Sequence, residues 1–441
     1  MNELTYAGLV EQLFPRLTGG IRWGLERTVR MLAEAGDPQR HYPTVHVGGT
    51  NGKGSVASTM ASILRAAGLR TGLYTSPHLC DFAERIQVNG APVERDALLA
   101  AARRLWPVVQ REAPSFFEAT TAIAFLTLAE VGVQAAVVEV GLGGRLDSTN
   151  VITPDVCVLT NVAMDHAQYL GNTLESIARE KAGIIKPGVP VVTSEPDPVL
   201  RDVFRRRAEE VDAPFHVVEA DAVRDISVDE SGTRLNYATD PFGALPLHSP
   251  LIGAHQAMNT AVAVRALSLL PEARRPDVAA VQRGVRTVRW PGRVQIERRP
   301  DGVWLFDAAH NPAAIESLVA VLGQLSLPEP LVLLIGVMGD KEWPQMLPAL
   351  FRATDRAVLT TPYSAPEGRR WDPAAVLQEV PSTGAEVVAD FARALARARE
   401  LAGAGAVIVT GSFHTVGDAF LELGIQPFPS DPGLPPAAAA V

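Results

Sequence analysis

Short apolar runs rich in β-branched residues alternate with amphipathic stretches along almost the whole chain. Five such runs in the first half predict strands: Thr44–Val47, Thr71–Tyr74, Ala135–Val140, Val156–Thr160 and Pro190–Thr193. Segments with helical periodicity follow several of them, namely Ser55–Ala67, Glu118–Val131 and His255–Leu270. This alternation is typical of α/β layers built on parallel strands. The polar, turn-rich stretch Val217–Tyr237 predicts a small antiparallel insertion.

A second series of strands and helices begins after a Pro/Gly break at Arg289–Gln295, which contains the sequence WPGR. Its predicted strands are Val303–Phe306, Leu331–Ile335, Ala357–Thr360, Glu386–Val388 and Ala406–Val409. We therefore predict a first domain over residues 1–292 with a parallel-rich sheet, and a smaller Rossmann-like α/β domain over residues 293–425. Residues 426–441 are rich in Pro and Ala without an apolar core pattern, so we expect a disordered tail.

Composition narrows the class of protein. The chain has 441 residues, of which 47% are hydrophobic and 20% charged, and its net charge of −9 disfavours binding to nucleic acid or an anionic membrane surface. Its two cysteines exclude a disulfide framework or a cysteine metal cluster. The chain shows no signal peptide and no apolar run of about 18 residues that could span a bilayer. We expect a protein of the reduced cytoplasm.

The first strand runs directly into the sequence GGTNGKGS, Gly48 to Ser55. A glycine-rich turn between a strand and a helix lets successive N–H groups face an anion, and Lys53 adds a positive charge. Gly54 separates Lys53 from Ser55, so the spacing departs from the usual phosphate-loop pattern. The alternative is a turn that binds no ligand. We interpret the following residues as a nucleotide-phosphate site: Gly49, Thr50, Asn51, Gly52, Lys53, Gly54 and Ser55.

Lysine is scarce in this chain. Among 40 basic residues only Lys53, Lys181, Lys186 and Lys341 are lysine. Lysine offers a compact ammonium or a nucleophilic amine, which arginine cannot replace. The retained lysines are therefore candidates for specific chemical roles.

Potential metal ligands follow two predicted strands of the first domain. Glu139 lies near the end of its strand, where open α/β sheets place ligands, and a carboxylate beside a phosphate loop suits Mg²⁺. A surface salt bridge is the alternative for Glu139. Ser76 follows the strand Thr71–Tyr74, and either a Mg²⁺ ligand or a turn cap fits it equally well.

A third polar segment lies between Asn161 and Gly188. Asp165 and His166 follow a predicted strand, and imidazole can bind a metal or contact phosphate. Lys181 lies on a segment of good helix propensity in the sequence AREKAGIIKPG. A structural histidine and a solvated helix lysine are the alternatives.

Two predicted helix starts carry side chains that suit a flat ring. Phe116 and Phe117 form either an aromatic floor or part of the hydrophobic core. Asn259, in the sequence GAHQAMN, suits a purine edge or an N-terminal helix cap.

Polar clusters also end three strands of the second series. They are FDAAHNP at Phe306–Pro312, GVMGDKEW at Gly336–Trp343 and TGSFHTVGD at Thr410–Asp418. All three would line one edge of the second sheet. If that edge faces the phosphate loop, the site lies between the two domains.

Together these segments resemble the Mur ligase superfamily and, within it, the folylpolyglutamate synthase/dihydrofolate synthase family. The resemblance covers roughly residues 20 to 420. It rests on the ordered motifs GLER at Gly24–Arg27, GTNGKGS, TSPHL, FFEATTAIAF, EVGLGGRLDSTN, DHAQYLG, EKAGIIK, HQAMN, WPGR, DAAHNP and GVMGDKEW. It implies a P-loop-containing, Mur-ligase-like ATPase domain followed by a glutamate-ligase domain.

The resemblance implies an ATP-dependent amide ligase. A folate-type carboxylate would attack the γ-phosphate of ATP, giving ADP and an acyl phosphate, which the amine of L-glutamate would then attack with release of phosphate. Loop amides, Lys53 and Mg²⁺ at two sites would stabilise the phosphoryl charge. The acceptors would be dihydropteroate and folates, handled by one bifunctional, monomeric enzyme.

The resemblance also assigns roles to individual residues. Lys53, His166 and Lys181 would be catalytic, with Lys181 carbamylated so that it can bind a second Mg²⁺. The implied metal ligands are Ser76, Glu139, His166 and Lys181, and the implied nucleotide contacts beyond the loop are Asn259, Arg293 and Asp307. The implied substrate residues are Phe116, Phe117, Glu118, Arg145, Asp147, His310 and Ser412.

Two departures from the family pattern concern the second domain. The chain has DAAHNP where the family commonly has DGAHNP, and GSFHTVGD where a GSLYLVGE-like string is common. The second change leaves the glutamate pocket the least secure assignment. The alternatives are a folylpolyglutamate synthase without the dihydropteroate activity, a Mur ligase acting on a UDP-sugar, and a nucleotide switch without ligase chemistry. A UDP-binding domain of about a hundred residues is not expected within the 47 residues before Gly48.

Overall fold

The first part of the chain is built on an eight-stranded sheet. The structure, a computed structural model, describes residues 4–14 and 23–428. The strands are β1 Thr44–Gly48, β2 Thr71–Tyr74, β3 Ile86–Val88, β4 Ala91–Pro92, β5 Ala135–Glu139, β6 Val156–Leu159, β7 Val191–Thr193 and β8 Phe215–Val217. Their order is β4-β3-β2-β5-β1-β6-β7-β8. Pairing is parallel from β2 through β8, and β3 and β4 add an antiparallel edge.

Helices cover both faces of this sheet. They are α1 Tyr6–Leu13, α2 Glu26–Glu34, α3 Lys53–Ala66, α4 Arg95–Glu112, α5 Phe116–Glu130, α6 Ala167–Leu170, α7 Leu174–Ala182, α8 Pro198–Glu210, α9 Ala254–Ser268 and α10 Val278–Arg286. One apolar core joins the sheet to α3, α9 and α10. A second joins the opposite face to α1, α2, α4 and α5. The parallel strands are buried on both faces, which explains their continuous apolar sequence.

A small antiparallel sheet is inserted before α9. Its strands are β9 Val223–Asp229, β10 Gly232–Thr239 and β11 Gly243–Ser249, with β10 in the centre. Burial alternates along β10 because one face of the sheet packs on the first core, through Leu235 and Tyr237, while the other faces solvent. The predicted insertion is confirmed, although it extends twelve residues past the predicted end at Tyr237, to Ser249.

A second, six-stranded sheet follows residue 294. Its strands are β12 Gln295–Arg299, β13 Gly302–Phe306, β14 Leu331–Ile335, β15 Arg356–Leu359, β16 Ala385–Val387 and β17 Ala406–Thr410, in the order β12-β13-β17-β14-β15-β16. Pairing is parallel except for the β12–β13 hairpin. The helices are α11 Pro312–Leu322, α12 Trp343–Ala353, α13 Pro373–Glu379, α14 Phe391–Ala402 and α15 Phe413–Leu423. Two apolar cores lie on the two faces of this sheet.

The predicted α/β class, with a parallel-rich first sheet and a second Rossmann-like unit, is confirmed. The sequence analysis did not predict five strands: the edge hairpin β3–β4, the edge strand β8, the last strand of the insertion, β11, and the edge strand β12. The sequence of β12, QIERR, carries three charged residues, because one side of an edge strand lacks a partner strand and faces solvent. Residues 429–441 of the predicted disordered tail lie outside the described residues.

No helix within residues 4–14 and 23–428 is both long enough and apolar enough to span a bilayer.

Helices α3 and α10 cross at very short range. A Cβ atom added to Gly284 on α10 would lie 2.3 Å from the Cα of Ile63 and 2.7 Å from its nitrogen. The hydroxyl of Ser62 donates to the Gly284 carbonyl at 2.8 Å, which fixes the same crossing. Only glycine permits this approach, and the approach places α3, the helix that follows the phosphate loop, firmly in the core.

We predict that Gly284→Ala destabilises the protein. Alanine improves helix propensity by about 1 kcal/mol, but overpacking against backbone atoms costs roughly 3 kcal/mol, so the expected net loss is about 2 kcal/mol in the free energy of unfolding. Urea titration followed by circular dichroism measures it. Gly323→Ala is the matched control, because its Cβ would meet nothing closer than 3.7 Å. Equal stability of the two variants would contradict the steric explanation.

Candidate active site between the two domains

A cleft opens where the carboxyl edges of the two parallel sheets face each other. From the first domain it is lined by residues 49–55, 76–77, 139–143, 165–166, 170, 181, 255–256 and 259. From the second it is lined by residues 293–294, 307–310, 314, 317–318 and 413. Open α/β sheets bind ligands at this edge, beyond the carboxyl ends of their strands. The loop after β1 and the loop after β13 thus form opposite walls of one site.

The loop after β1 depends on two glycines in left-handed conformations. Gly49 has φ of +136°, and an added Cβ would lie 1.8 Å from the hydroxyl oxygen of Thr160. Gly52 has φ of +81°, and its Cβ would lie 2.5 Å from Oδ1 of Asn259. Both positions therefore require glycine for conformation and for space.

The segment after β6 holds this loop from the side. The Thr50 amide donates to the Asn161 carbonyl at 2.8 Å, and the Asn51 amide donates to the Asn161 side chain at 3.0 Å. The Thr160 hydroxyl donates to the Asn51 carbonyl at 2.7 Å. These bonds fix the loop backbone in the shape that the helix start at Lys53 requires.

Two lysines donate to carbonyl groups of the same loop. Lys53 Nζ lies 2.9 Å from the Thr50 oxygen, and Lys181 Nζ lies 2.8 Å from the Gly49 oxygen. Lys181 is buried, and burial, assisted by the positive charge of Lys53, lowers its pKa to about 7. A solvated helix lysine is therefore the wrong interpretation of Lys181. Near neutral pH a substantial fraction of its amine is uncharged and nucleophilic.

Glu139 faces the same loop from the end of β5. Its carboxylate accepts the Ser76 amide at 3.1 Å, and it is only 4% exposed, so the surface salt bridge considered from the sequence is wrong. Burial raises the pKa of Glu139, while the nearby Lys53 charge opposes that shift. The buried Glu139 carboxylate therefore lies near the cationic side chains of Lys53 and Arg293, and the cleft has both hydrogen-bond donors and acceptors.

His166 and Asp165 lie at the start of the short helix α6. His166 has φ of +53° and its side chain is partly buried; burial lowers its pKa to about 4, so the imidazole is neutral and can serve as a ligand. Burial opposes ionisation of Asp165, yet its His310 contact and the positive charge of Lys341 hold the pKa of that carboxyl well below its usual range.

Within residues 4–14 and 23–428, no three His, Cys, Asp or Glu side chains group closely enough to bind a metal by themselves. The predicted set of metal ligands is not a group of that type, because it also includes other residue types. It combines the Glu139 carboxylate and the neutral His166 imidazole with a serine hydroxyl and a lysine. Ser76, Glu139, His166 and Lys181 all line the cleft. Oxygen donors beside a phosphate loop fit Mg²⁺, which keeps several non-protein ligands.

The three predicted nucleotide residues outside the loop also line the cleft. Asn259 lies in the second turn of α9, whose N-cap is Gly253, so helix capping is the wrong interpretation of Asn259. Its amide donates to Gln256 at 3.0 Å. The Arg293 guanidinium lies 4.7 Å from the Phe413 ring centroid, and Asp307 accepts the amides of Val294 and Ala309, each at 2.9 Å.

The two predicted substrate residues of the second domain differ in position. His310 lines the cleft and is partly exposed. Ser412 does not: it is the N-cap of α15, accepts the Thr415 amide at 3.0 Å and donates to the Gly336 carbonyl at 3.0 Å. Its neighbour Phe413 reaches the cleft instead. The structure supports a capping role for Ser412.

The two phenylalanines of the FFE segment pack into the protein, as the core alternative predicted. Phe116 is 3% exposed and lies under the Arg85 guanidinium, 5.1 Å from its ring centroid. Phe117 stacks on Tyr74 at 6.2 Å and lies against Gly141, where an added Cβ would be 2.3 Å from the ring. Gly141 lines the cleft, so Phe117 supports its wall from behind.

The remaining predicted substrate residues are occupied by contacts within the protein. Glu118 completes a capping box with Ser115 and forms an ion pair with Arg27 at 2.8 Å. Arg145 pairs with Glu180 at 2.8 Å on the surface. Asp147 is buried and accepts the Leu142 amide at 2.8 Å and the Thr149 amide at 2.9 Å. None of the three lines the cleft.

Among the cleft residues that sequence reasoning did not assign are His255, Gln256, Asp165 and Phe413. His255 and Gln256 open α9 in the sequence GAHQAMN, and Asp165 directly precedes His166. The signal available for all four was their place at strand ends or helix starts next to assigned residues. Phe413 carried the weakest signal, because an apolar residue at a helix start suits either the hydrophobic core or a binding site.

Two family models match the chain. The Mur ligase middle domain matches residues 47–267, and the glutamate ligase domain of the Mur ligases matches residues 292–413. The first match contains the phosphate loop, Glu139, His166 and Lys181. The second begins at Gly292 and contains the opposite wall of the cleft.

Curated relatives match over most of their length. The chain is 35% identical over 345 residues to the dihydrofolate synthase/folylpolyglutamate synthase of Bacillus subtilis, covering 76% of this chain and 80% of the relative. It is 33% identical over 408 residues to the Escherichia coli protein of the same name, covering 89% of each.

Solved structures match over nearly the whole chain. Mycobacterium tuberculosis folylpolyglutamate synthase complexed with ADP has a TM-score of 0.87 at 31% identity, covering 96% of this chain and all of that one. Escherichia coli FolC in complex with DHPP and ADP has a TM-score of 0.82 at 31% identity, covering 94% of this chain and 97% of that one. The two-domain architecture of this chain is therefore similar to that of both.

We predict that Gly49→Ala weakens binding of ATP at least tenfold, because a Cβ at this position displaces the loop from Thr160. Isothermal titration with ATP measures the dissociation constant, and unfolding by urea checks that the variant is folded. Gly368→Ala is the control, since nothing lies within 4 Å of its Cβ position. Wild-type affinity in the Gly49 variant would show that the loop does not bind the nucleotide.

Proposed function

The chain belongs to the dihydrofolate synthase/folylpolyglutamate synthase family of Mur ligases, and from this membership we propose that it joins L-glutamate to a pteroate or folate carboxylate. ATP is converted to ADP and phosphate in the reaction. One observation carries the proposal: the phosphate loop and the glutamate-ligase domain face each other across a single cleft. A nucleotide on one wall and an amino acid on the other can meet the acceptor carboxylate there.

In the first proposed step, an oxygen of the acceptor carboxylate attacks the γ-phosphorus of ATP. The bond to the β–γ bridging oxygen breaks, leaving ADP and an acyl phosphate. The amides of residues 49–55 and the ammonium of Lys53 stabilise the charge that spreads over the phosphoryl oxygens. Lys53 donates to the Thr50 carbonyl at 2.9 Å in this structure, so the ammonium already lies at the loop before a phosphate enters.

In the second proposed step, the amine of L-glutamate attacks the acyl carbon. The carbon–oxygen bond to phosphate breaks, phosphate leaves, and the amine loses a proton as the amide forms. The acyl phosphate must meet the amine before water, so the reaction needs a site enclosed by both domains. His310 and Phe413 supply the cleft wall on the side of the glutamate-ligase domain.

We also propose that Lys181 carries a carbamate and that Mg²⁺ binds at two sites. A neutral amine can add CO₂, and Lys181 meets this condition because burial lowers its pKa to about 7. Ser76, Glu139, His166 and carbamylated Lys181 would hold the metal, which would neutralise charge on the nucleotide phosphates. The carbamate would replace the positive charge of Lys181 by a negative charge beside Lys53. The repulsion between the two ammonium groups would then become an attraction.

We favour a bifunctional enzyme that accepts both dihydropteroate and folates. The curated relatives from Bacillus subtilis and Escherichia coli are named for both activities. The FFE segment supports this through Phe117, whose ring lies behind the lining residue Gly141. A nucleotide switch would not need a second domain of the glutamate-ligase family facing the loop.

Because a single chain supplies both walls of the cleft, we propose that a monomer suffices.

Acceptor identity can be measured directly. The purified protein is incubated with Mg²⁺-ATP, L-glutamate and either dihydropteroate or tetrahydrofolate, and ADP release is followed with product mass. We expect ADP release with both acceptors, each requiring glutamate, because both present a carboxylate to the same loop. Release with tetrahydrofolate alone would restrict the enzyme to polyglutamate synthesis. Release with neither would contradict the proposed function.

Lys181→Ala should reduce turnover to background, because it removes the amine that would carry the carbamate. We expect a short carboxylic acid such as acetate or propionate to restore part of the activity by replacing the lost carboxylate. Lys186→Ala is the matched control: its ammonium donates to the Asn150 carbonyl at 2.9 Å and does not line the cleft. Unchanged turnover in Lys181→Ala, measured as ADP release, would refute the carbamate role.

A further inference from the structure

Asp165 of the first domain is the meeting point of three side chains from the second. Its Oδ1 accepts the Lys341 ammonium at 2.6 Å. Its Oδ2 lies 3.6 Å from Nε2 of His310 and 3.5 Å from the Asn311 amide nitrogen. Lys341 follows β14, and His310 and Asn311 follow β13, so two loops at the carboxyl edge of the second sheet converge on one carboxylate.

The Asp165–Lys341 pair is shielded from water. The two side chains are 11% and 10% exposed, whereas the cross-domain ion pair between Arg298 and Glu230 is 57% and 31% exposed. Removal of one partner of a buried ion pair leaves an uncompensated charge, which is far more costly than loss of an exposed pair. The buried pair can therefore hold the domains together, and the exposed pair contributes little.

The same carboxylate also fixes the backbone of His166. Oδ1 of Asp165 accepts the His166 amide at 2.9 Å, next to its bond with Lys341. His166 has the left-handed φ of +53°, which is costly for a non-glycine residue and needs support from its surroundings. The same Oδ1 atom of Asp165 thus accepts both the Lys341 ammonium and the backbone amide of His166. Lys341 therefore contacts the carboxylate that supports the conformation of His166.

A second cross-domain contact reaches the phosphate loop itself. Nδ2 of Asn311 donates to Oδ1 of Asn51 at 3.0 Å, and Nδ2 of Asn51 donates to Oδ1 of Asn311 at 3.5 Å. Asn311 is also the N-cap of α11, where its Oδ1 accepts the Ala314 amide at 2.9 Å. The start of α11 is therefore tied to the phosphate loop and to Asp165 together.

We propose that Lys341 is a positioning residue whose ion pair with Asp165 is an interdomain latch. The latch holds the second domain against the phosphate loop and keeps His166 in its cleft-facing conformation. Lys341 is not a lining residue of the cleft, so it acts through Asp165. Its catalytic consequence rests on the proposed ligase function, whereas its structural consequence does not.

The test compares Lys341→Met with Lys341→Arg and with the control Arg298→Met. Hydrogen–deuterium exchange is measured on peptides covering residues 161–171 and 306–314, together with ATP affinity and the kcat and KM of glutamate ligation. In Lys341→Met we expect at least tenfold faster exchange in both peptides, ATP affinity within about threefold of wild type, and kcat reduced at least tenfold. Lys341→Arg keeps the charge and should restore protection in part, and Arg298→Met should match the wild type.

Unchanged exchange in Lys341→Met would overturn the latch, whatever happens to activity. Faster exchange throughout the protein, or an equal effect in Arg298→Met, would also overturn it, because the effect would then be loss of general stability. Localised exchange with unchanged kcat would overturn the positioning role. A wild-type enzyme inactive with every acceptor would refute the proposed function alone, since the exchange comparison needs no substrate.

Discussion

The site depends on the contact between Gly49 and Thr160. The loop after β1 approaches the loop after β6 so closely that a methyl group would not fit between them. This approach leaves the Asn51 carbonyl within reach of the Thr160 hydroxyl and the Thr50 amide within reach of Asn161. A phosphate loop must present its amide groups in a fixed shape before the anion arrives, because pre-organised donors need no reorganisation during reaction. Packing of two adjacent parallel strands supplies that shape.

The cationic groups of the cleft follow from the same packing. Lys53 and Lys181 both donate to carbonyl groups of the loop, and within residues 4–14 and 23–428 neither donates to a carboxylate. Burial lowers the pKa of Lys181, and repulsion by the Lys53 charge lowers it further. An incoming anion, whether a phosphate or a carbamate, relieves this repulsion. The fold thus prepares the cleft electrostatically for negative charge.

The apolar β-branched pattern predicted the parallel strands well because strands buried on both faces must be continuously apolar. Glu139, His166 and Lys181, which were singled out from strand ends and from the scarcity of lysine, all line the cleft. Arg145, Asp147 and Ser412 were different. Each is polar and sits in a motif beside the cleft, yet each satisfies a local partner: Glu180, the amides after β5, and the first turn of α15. Which partner a polar side chain finds is decided by tertiary packing, so motif position alone could not separate these residues from the lining residues.

The four lysines show how composition and geometry complement each other. In a chain that otherwise uses arginine, Lys53, Lys181 and Lys341 lie at the cleft or at its domain contact, and Lys186 supports the Asn150 carbonyl nearby. A guanidinium is planar and needs room for several donors, whereas each of these sites offers a narrow space with one dominant acceptor. The sequence could say only that lysine was retained at four places. In the structure, Lys53 and Lys181 donate to carbonyl groups of the phosphate loop, and Lys341 donates to Asp165. Nucleotide binding and the domain contact therefore depend on the same few charged side chains.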